Sequence, residues 1–163
     1  VYWKLVAFEE RHHPKRTLDR LRGRPERESV VQDIEVPVQR VAEFMDGFHR
    51  EVPISPVWLC PLRQRDAAAV WDLYRLDPGT LSVNVGFWST FALGPGISPD
   101  HHNRWVEAEV ERLLGRKSLY STSFYDQDTF WRLYNGQVYS ELKRKYDPDR
   151  RLLDLYAKCV QAR

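Results

Sequence analysis

Residues 81–88, Leu-Ser-Val-Asn-Val-Gly-Phe-Trp, alternate in side-chain character without a break, which commits them to a strand with two unlike faces. Leu81, Val83, Val85 and Phe87 share one face; Ser82, Asn84, Gly86 and Trp88 share the other. Val30–Val36 repeats the period with β-branched residues, setting Val30, Gln32, Ile34 and Val36 against Val31, Asp33 and Glu35. A period of two does not suit a helix, so the rest of the chain must cover one side of these strands.

The neighbouring segments supply that cover. Pro37 opens a helix to about Arg50, with Val38, Val41, Met45 and Phe48 as its apolar stripe. Pro53 and Pro56 bracket a turn before a second strand, Val57–Cys60. Residues 63–78 form a connection in which Ala67, Val70 and Trp71 suit one helical turn. Ser98-Pro99-Asp100 is a helix start and Gly115 a stop, with Val106, Val110 and Leu113 facing inward. Lys117–Phe124 reads as a fourth strand, Asp126–Tyr146 as a long helix and Arg151–Gln161 as a last one. Asn135-Gly136 marks a bend or break in the long helix. Residues 1–29 form a helical or linker segment, with a helix from Lys15 to Arg22 ended by Gly23 and Pro25. The order strand, helix, strand, strand, helix, strand over residues 30–124 predicts an α+β fold. It is a ferredoxin-like split βαβ antiparallel sheet with helices on one face, followed by C-terminal helices. The other face, carrying Ser82, Asn84 and Gly86, is left for a domain, a ligand or a partner.

Composition narrows the classes. With 163 residues, 42% of them hydrophobic, the chain suits one folded domain. Its 25 bases against 23 acids exclude a large footprint for nucleic acid, although residues 1–28 hold eight bases and five acids. Cys60 and Cys159 lack paired spacing, which argues against a disulfide framework or a zinc site and for a reducing, cytoplasmic setting. No base near Cys60 would activate it, so it reads as a packing thiol. His12-His13 and His101-His102 point apart as neighbours in sequence and read as exposed polar residues, so no metal site is expected. Asp126-Gln127-Asp128 reads as a helix entry with its acids near the positive end of the dipole. No apolar run approaches the roughly 18 residues of a spanning helix, and the charged start is unlike a signal peptide.

Between Tyr120 and Tyr156 the chain is dense in aromatics, which build either a core or the wall of a pocket for a flat apolar molecule. Phe130, Trp131 and Tyr134 fall at helical spacing and suit a core; Tyr120 ends the sheet.

Three stretches together resemble the C-terminal region of the Delta-24 sterol reductase family, flavoproteins of the vanillyl-alcohol oxidase superfamily. They are Val30-Val31-Gln32-Asp33-Ile34-Glu35-Val36-Pro37, Pro56-Val57-Trp58-Leu59-Cys60-Pro61-Leu62, and Phe130-Trp131 through Tyr134-Asn135-Gly136 to Tyr139, Leu142 and Tyr156. Lys145-Tyr146-Asp147-Pro148 is similar to a segment near the end of many such oxidases. The resemblance implies an FAD-binding domain upstream and a C-terminal α+β cap, here residues 30–163, that covers the flavin and shapes a cavity for a hydrophobic substrate. It implies an FAD-dependent oxidoreductase acting on a sterol or another lipid-like molecule by hydride transfer through flavin. This chain alone is expected neither to retain FAD nor to be active. The absence of a glycine-rich phosphate loop among the eight glycines agrees. With Val1 first and Met45 the sole methionine, translation is expected to start upstream, which makes the chain a fragment, a processed product or a partly ordered species.

On this resemblance Tyr120, which matches a tyrosine of the family, is the candidate pocket residue or proton donor. Asn84, Tyr134 and Asn135 face the cofactor, and Trp58, Trp88 and Tyr125 line the substrate wall. The expected partners are the upstream flavin domain and a hydrophobic small molecule, without nucleic acid; peripheral contact with a membrane and self-association are both compatible. The rival reading is a non-enzymatic ferredoxin-like module that uses its free sheet face for binding. An RNA-binding module is disfavoured by the near-neutral charge.

Overall fold

In the computed structural model, which describes residues 25–161, the alternation predicted for the first strand is realised. Strand β1 spans Arg27–Pro37, with Val30, Ile34 and Val36 at 0% exposure. A 3-10 turn, Val38–Arg40, leads into helix α1, Val41–Glu51. Strands β2, Trp58–Leu62, and β3, Ser82–Ala92, follow, then helix α2, His101–Arg112, and a short β4, Arg116–Lys117. Helices α3, Gln127–Leu133, and α4, Gly136–Tyr146, precede a single π turn, Ala157–Gln161. The expectations for residues 1–24, including the helix from Lys15 to Arg22, lie outside the described residues.

All three strand pairings are antiparallel and the sheet order is β2-β3-β1-β4, so β3 lies between β1 and β2 as in a split βαβ unit. One face is dry. Val30, Ile34, Val36, Val83, Val85 and Phe87 pack against Phe44 and Phe48 of α1 and Val106 and Val110 of α2. A second cluster of Tyr125, Phe130, Tyr134, Cys159 and Val160 holds the C-terminal helices together. The fold is α+β, an antiparallel sheet with helices.

Several elements differ from the sequence reading, each for a local reason. The fourth strand is two residues long rather than eight. After Ser118 donates its amide to the Asp33 carbonyl at 2.9 Å, the chain leaves the sheet and wraps a buried ion pair. Lys117 Nζ donates to Glu107 Oε1 at 2.6 Å and to the Thr122 carbonyl at 2.7 Å, and the Phe124 amide donates to the same carboxylate at 3.0 Å. The long helix breaks where Asn135 turns left-handed, φ 52°, and its side chain caps the amide of Val138. The α1 stripe is centred on Phe44 and Phe48, with Val38 exposed. The last helix contracts to the π turn.

Helix α2 begins at His101 because its cap comes from another strand. Glu28 of β1, 1% exposed, accepts the amides of His102 at 3.2 Å and Asn103 at 2.9 Å. His102 Nδ1 lies 2.6 Å from the same carboxylate, so this histidine is tied into the fold rather than exposed. At the other end the left-handed residue is Leu114, φ 61°, with Gly115 donating back to Val110 in a Schellman turn. Gly115 is needed for closeness instead: a Cβ there would sit 2.4 Å from the Glu35 carbonyl oxygen.

Candidate functional site

Opposite the helices, the sheet has a face on which no helix or strand of the described residues is layered. Directly paired residues share a face, so the pairs Glu35 with Asn84, Asp33 with Gly86, and Val31 with Trp88 line up across it. On the far side of β3, Trp58 pairs with Gly86. Three rings stand open here: Trp58, Trp88 and Tyr120, at 59%, 53% and 56% exposure. A Cβ on Gly86 would lie 2.8 Å from the Trp88 ring and 2.3 Å from an Asp33 oxygen, so the indole folds back over a glycine that leaves room for it. Trp88 Nε1 donates to the Tyr120 hydroxyl at 3.0 Å, which anchors the phenol although it sits on a turn rather than a strand. The Tyr120 pKa is raised, chiefly by partial burial and further by Asp33, while the Trp88 donor works against the shift.

Along β1 from this aromatic shelf is a carboxyl group of different character. Glu35 is 7% exposed and receives Asn84 Nδ2 on one oxygen at 2.8 Å and the Tyr74 hydroxyl on the other. Burial pushes its pKa up to about 7; the Asn84 hydrogen bond opposes this and the Asp33 charge adds to it. A cavity of about 520 Å³ opens beside it, lined by Glu35, Ser82, Thr80, Arg75, Leu114 and Arg116. Arg116 donates to the Gly115 carbonyl at 2.7 Å, while its Nε is buried with no partner. A carboxyl group poised near neutrality at a cavity edge can both hold and release a proton under physiological conditions.

The residues singled out from sequence divide in two. Asn84, Trp58, Trp88 and Tyr120 meet on the open face. Tyr134, Asn135 and Tyr125 lie apart from it, in the C-terminal unit. Tyr134 is 1% exposed and donates its hydroxyl to the Lys117 carbonyl at 2.7 Å, Tyr125 packs with it at a ring separation of 6.3 Å, and Asn135 caps α4. Burial raises the pKa of both phenols, which therefore remain protonated packing groups. Cys60 lies opposite Asn84 on an edge strand, more open than a packing thiol. Sequence reasoning missed Glu35 and Tyr74. An acid inside a β-branched run was a visible signal for the first; Tyr74, in an irregular connection, offered none. Among the described residues no three His, Cys, Asp or Glu side chains gather as a metal site, and no helix is long and apolar enough to cross a membrane.

No family model and no solved structure matches the chain. Curated relatives do. The Delta(24)-sterol reductase of Arabidopsis thaliana is 25% identical over 150 residues, covering 82% of this chain and 27% of that protein. The Homo sapiens Delta(24)-sterol reductase is 23% identical over 145 residues, covering 87% and 27%. A Caenorhabditis elegans Delta(24)-sterol reductase homolog is 27% identical over 119 residues, covering 73% and 22%. The chain thus spans about a quarter of the length of these relatives. Over 73–87% of its own length it is a homologue of the Delta(24)-sterol reductases.

Proposed function

We propose that this chain is the substrate-side cap of an FAD-dependent oxidoreductase that reduces a carbon–carbon double bond in a sterol or another hydrophobic alkene. The observation that carries the reading is the open sheet face, where two tryptophans and a tyrosine stand exposed near a buried, near-neutral carboxyl group, on a chain homologous to sterol reductases. Two neighbouring solvent-exposed indoles on one sheet face, Trp88 on a central strand and Trp58 on the edge strand beside it, form an apolar surface suited to a flat partner.

The residues present fit one wall of a flavin site and not the whole of it. The glycine at position 86 and the indole folded over it offer a flat surface to a ring, but there is no glycine-rich loop for a pyrophosphate. Bound flavin would supply the hydride. The chain's own work is the rest. Trp58 and Trp88 seat and orient the apolar body of the substrate and exclude water from it. Tyr120 keeps its proton at neutral pH and gives it to the second alkene carbon as the O–H bond breaks and a C–H bond forms. The Trp88 N–H, already pointed at that oxygen, steadies the phenolate left behind. Glu35, with Asn84 and Tyr74 holding it in place, is a proton reservoir on the same face.

Purified full-length protein tests the reading by its flavin absorbance and by loss of an unsaturated lipid from an extract on turnover. Yellow protein that reduces such an alkene supports it. A colourless protein with no flavin-binding segment encoded upstream overturns it in favour of a ferredoxin-like binding module.

A further inference from the structure

The loop after α4 displays two leucines to solvent, and side chains at either end of it hold its backbone in place. Leu152 is 71% exposed and Leu153 63%. Asp147, at the end of α4, accepts the amides of Arg151 at 2.9 Å and Leu152 at 3.1 Å. Lys143 donates to that carboxylate and to the carbonyls of Leu152 at 2.7 Å and Leu153 at 3.2 Å. Asp154 accepts the Ala157 amide at 2.7 Å and closes the far side. Both leucines also border an open cavity of about 660 Å³ that has Trp131 and Tyr139 in its wall, and they remain mostly exposed at its rim. Ordering a loop to expose apolar side chains runs against the usual direction of folding, so these leucines are placed to meet something.

The charges around them indicate what. Residues 143–154 hold five bases, Lys143, Arg144, Lys145, Arg150 and Arg151, and three acids, Asp147, Asp149 and Asp154. Lys143 is held by Asp147, and Arg151 pairs with Asp149 at 2.9 Å. Arg144, Lys145 and Arg150 remain exposed, and Tyr146, 74% exposed with Lys145 Nζ 5.1 Å from its ring centre, adds an aromatic of the kind that settles at a lipid headgroup level. A leucine pair ringed by bases complements an anionic bilayer: the apolar side chains enter the acyl boundary while the bases meet acidic headgroups.

We infer that this loop is a membrane-docking tip that inserts Leu152 and Leu153 into an anionic lipid surface, with Arg144, Lys145 and Arg150 on the headgroups. The site is separate from the sheet face and its test is independent of flavin. The chain is sedimented with vesicles of phosphatidylcholine mixed with phosphatidylserine, and with phosphatidylcholine alone, at low and high salt. The expected result is pelleting with the mixed vesicles that weakens in salt and is weaker still without phosphatidylserine. Leu152→Ser with Leu153→Ser lowers the partition coefficient about tenfold or more, and Arg150→Gln lowers it about fivefold. Both variants alter exposed side chains, and unchanged unfolding midpoints confirm their integrity; should the double variant be unstable, Arg150→Gln with Lys145→Gln serves in its place. Three results would overturn the inference: no pelleting with mixed vesicles, pelleting unaffected by these substitutions, or a dimer in the absence of lipid that the leucine substitutions dissolve, which would assign the patch to a second copy of the chain.

Discussion

Lys117 Nζ lies 2.6 Å from Glu107 Oε1 with the lysine side chain at 0% exposure and the glutamate at 4%. This contact joins α2 to the short edge strand and organises the loop that carries Tyr120. Lys117→Met leaves a buried carboxylate without its cation and is expected to cost about 3–5 kcal/mol in denaturant unfolding. The double change with Glu107→Leu recovers most of that loss, since a matched apolar pair avoids the uncompensated charge. Equal destabilisation by single and double variants would show that packing, not charge, governs the site.

Glu35 makes stability depend on pH. Its folded pKa, about 7, lies above the ordinary carboxylate value of 4.5, so the folded state binds its proton more tightly than the unfolded chain. The contribution is fully present below 4.5 and is lost as pH rises through 7. The arithmetic of a shift of that size gives about 3 kcal/mol. Unfolding free energies across this window should fall for the wild type relative to Glu35→Gln, which does not titrate. Parallel curves would mean that the carboxyl group is solvated.

The Trp88 to Tyr120 hydrogen bond gives a paired test of the proposed proton transfer in the full-length protein. Tyr120→Phe removes the proton and is expected to lower turnover about a hundredfold, with little effect on stability because the ring is 56% exposed. Trp88→Phe keeps the phenol, loses the donor on its oxygen and should have a smaller effect. Unchanged turnover in Tyr120→Phe would remove the proton-donor role.

The turn after α2 offers two opposite changes at adjacent positions. Leu114→Gly relieves a left-handed backbone on a residue that is 75% exposed, and should stabilise by about 1 kcal/mol. Gly115→Ala drives a Cβ against the Glu35 carbonyl oxygen, backbone that cannot step aside, and should destabilise by about 2 kcal/mol. Thermal midpoints moving the other way would contradict the reading of this turn.

The sheet was legible because a period of two in β1 and β3 admits few alternatives, and the face that each side chain occupies follows from parity alone. What could not be read was set by partners far away in sequence. The start of α2 depends on Glu28, 74 residues before His102. The fourth strand ends where Lys117 turns to Glu107. Of the candidate site, Trp58, Asn84 and Trp88 fell out of the strand pattern. Tyr125, Tyr134 and Asn135 did not, because helical spacing marks a side chain as facing inward without saying which of two clusters receives it. Tyr74 escaped altogether: it joins the second cluster by its ring and the open face by its hydroxyl, and nothing local announces either.

Across the strand pair at the centre of the sheet, open-face residues and core residues occupy alternate positions of the same chain. Asp33, Glu35, Asn84, Gly86 and Trp88 can be exchanged without changing a side chain among Val30, Ile34, Val36, Val83, Val85 and Phe87. Laboratory libraries confined to Asp33 and Trp88 would leave both that core and the Glu35–Asn84 pair in place, so the open surface can be varied with few misfolded members.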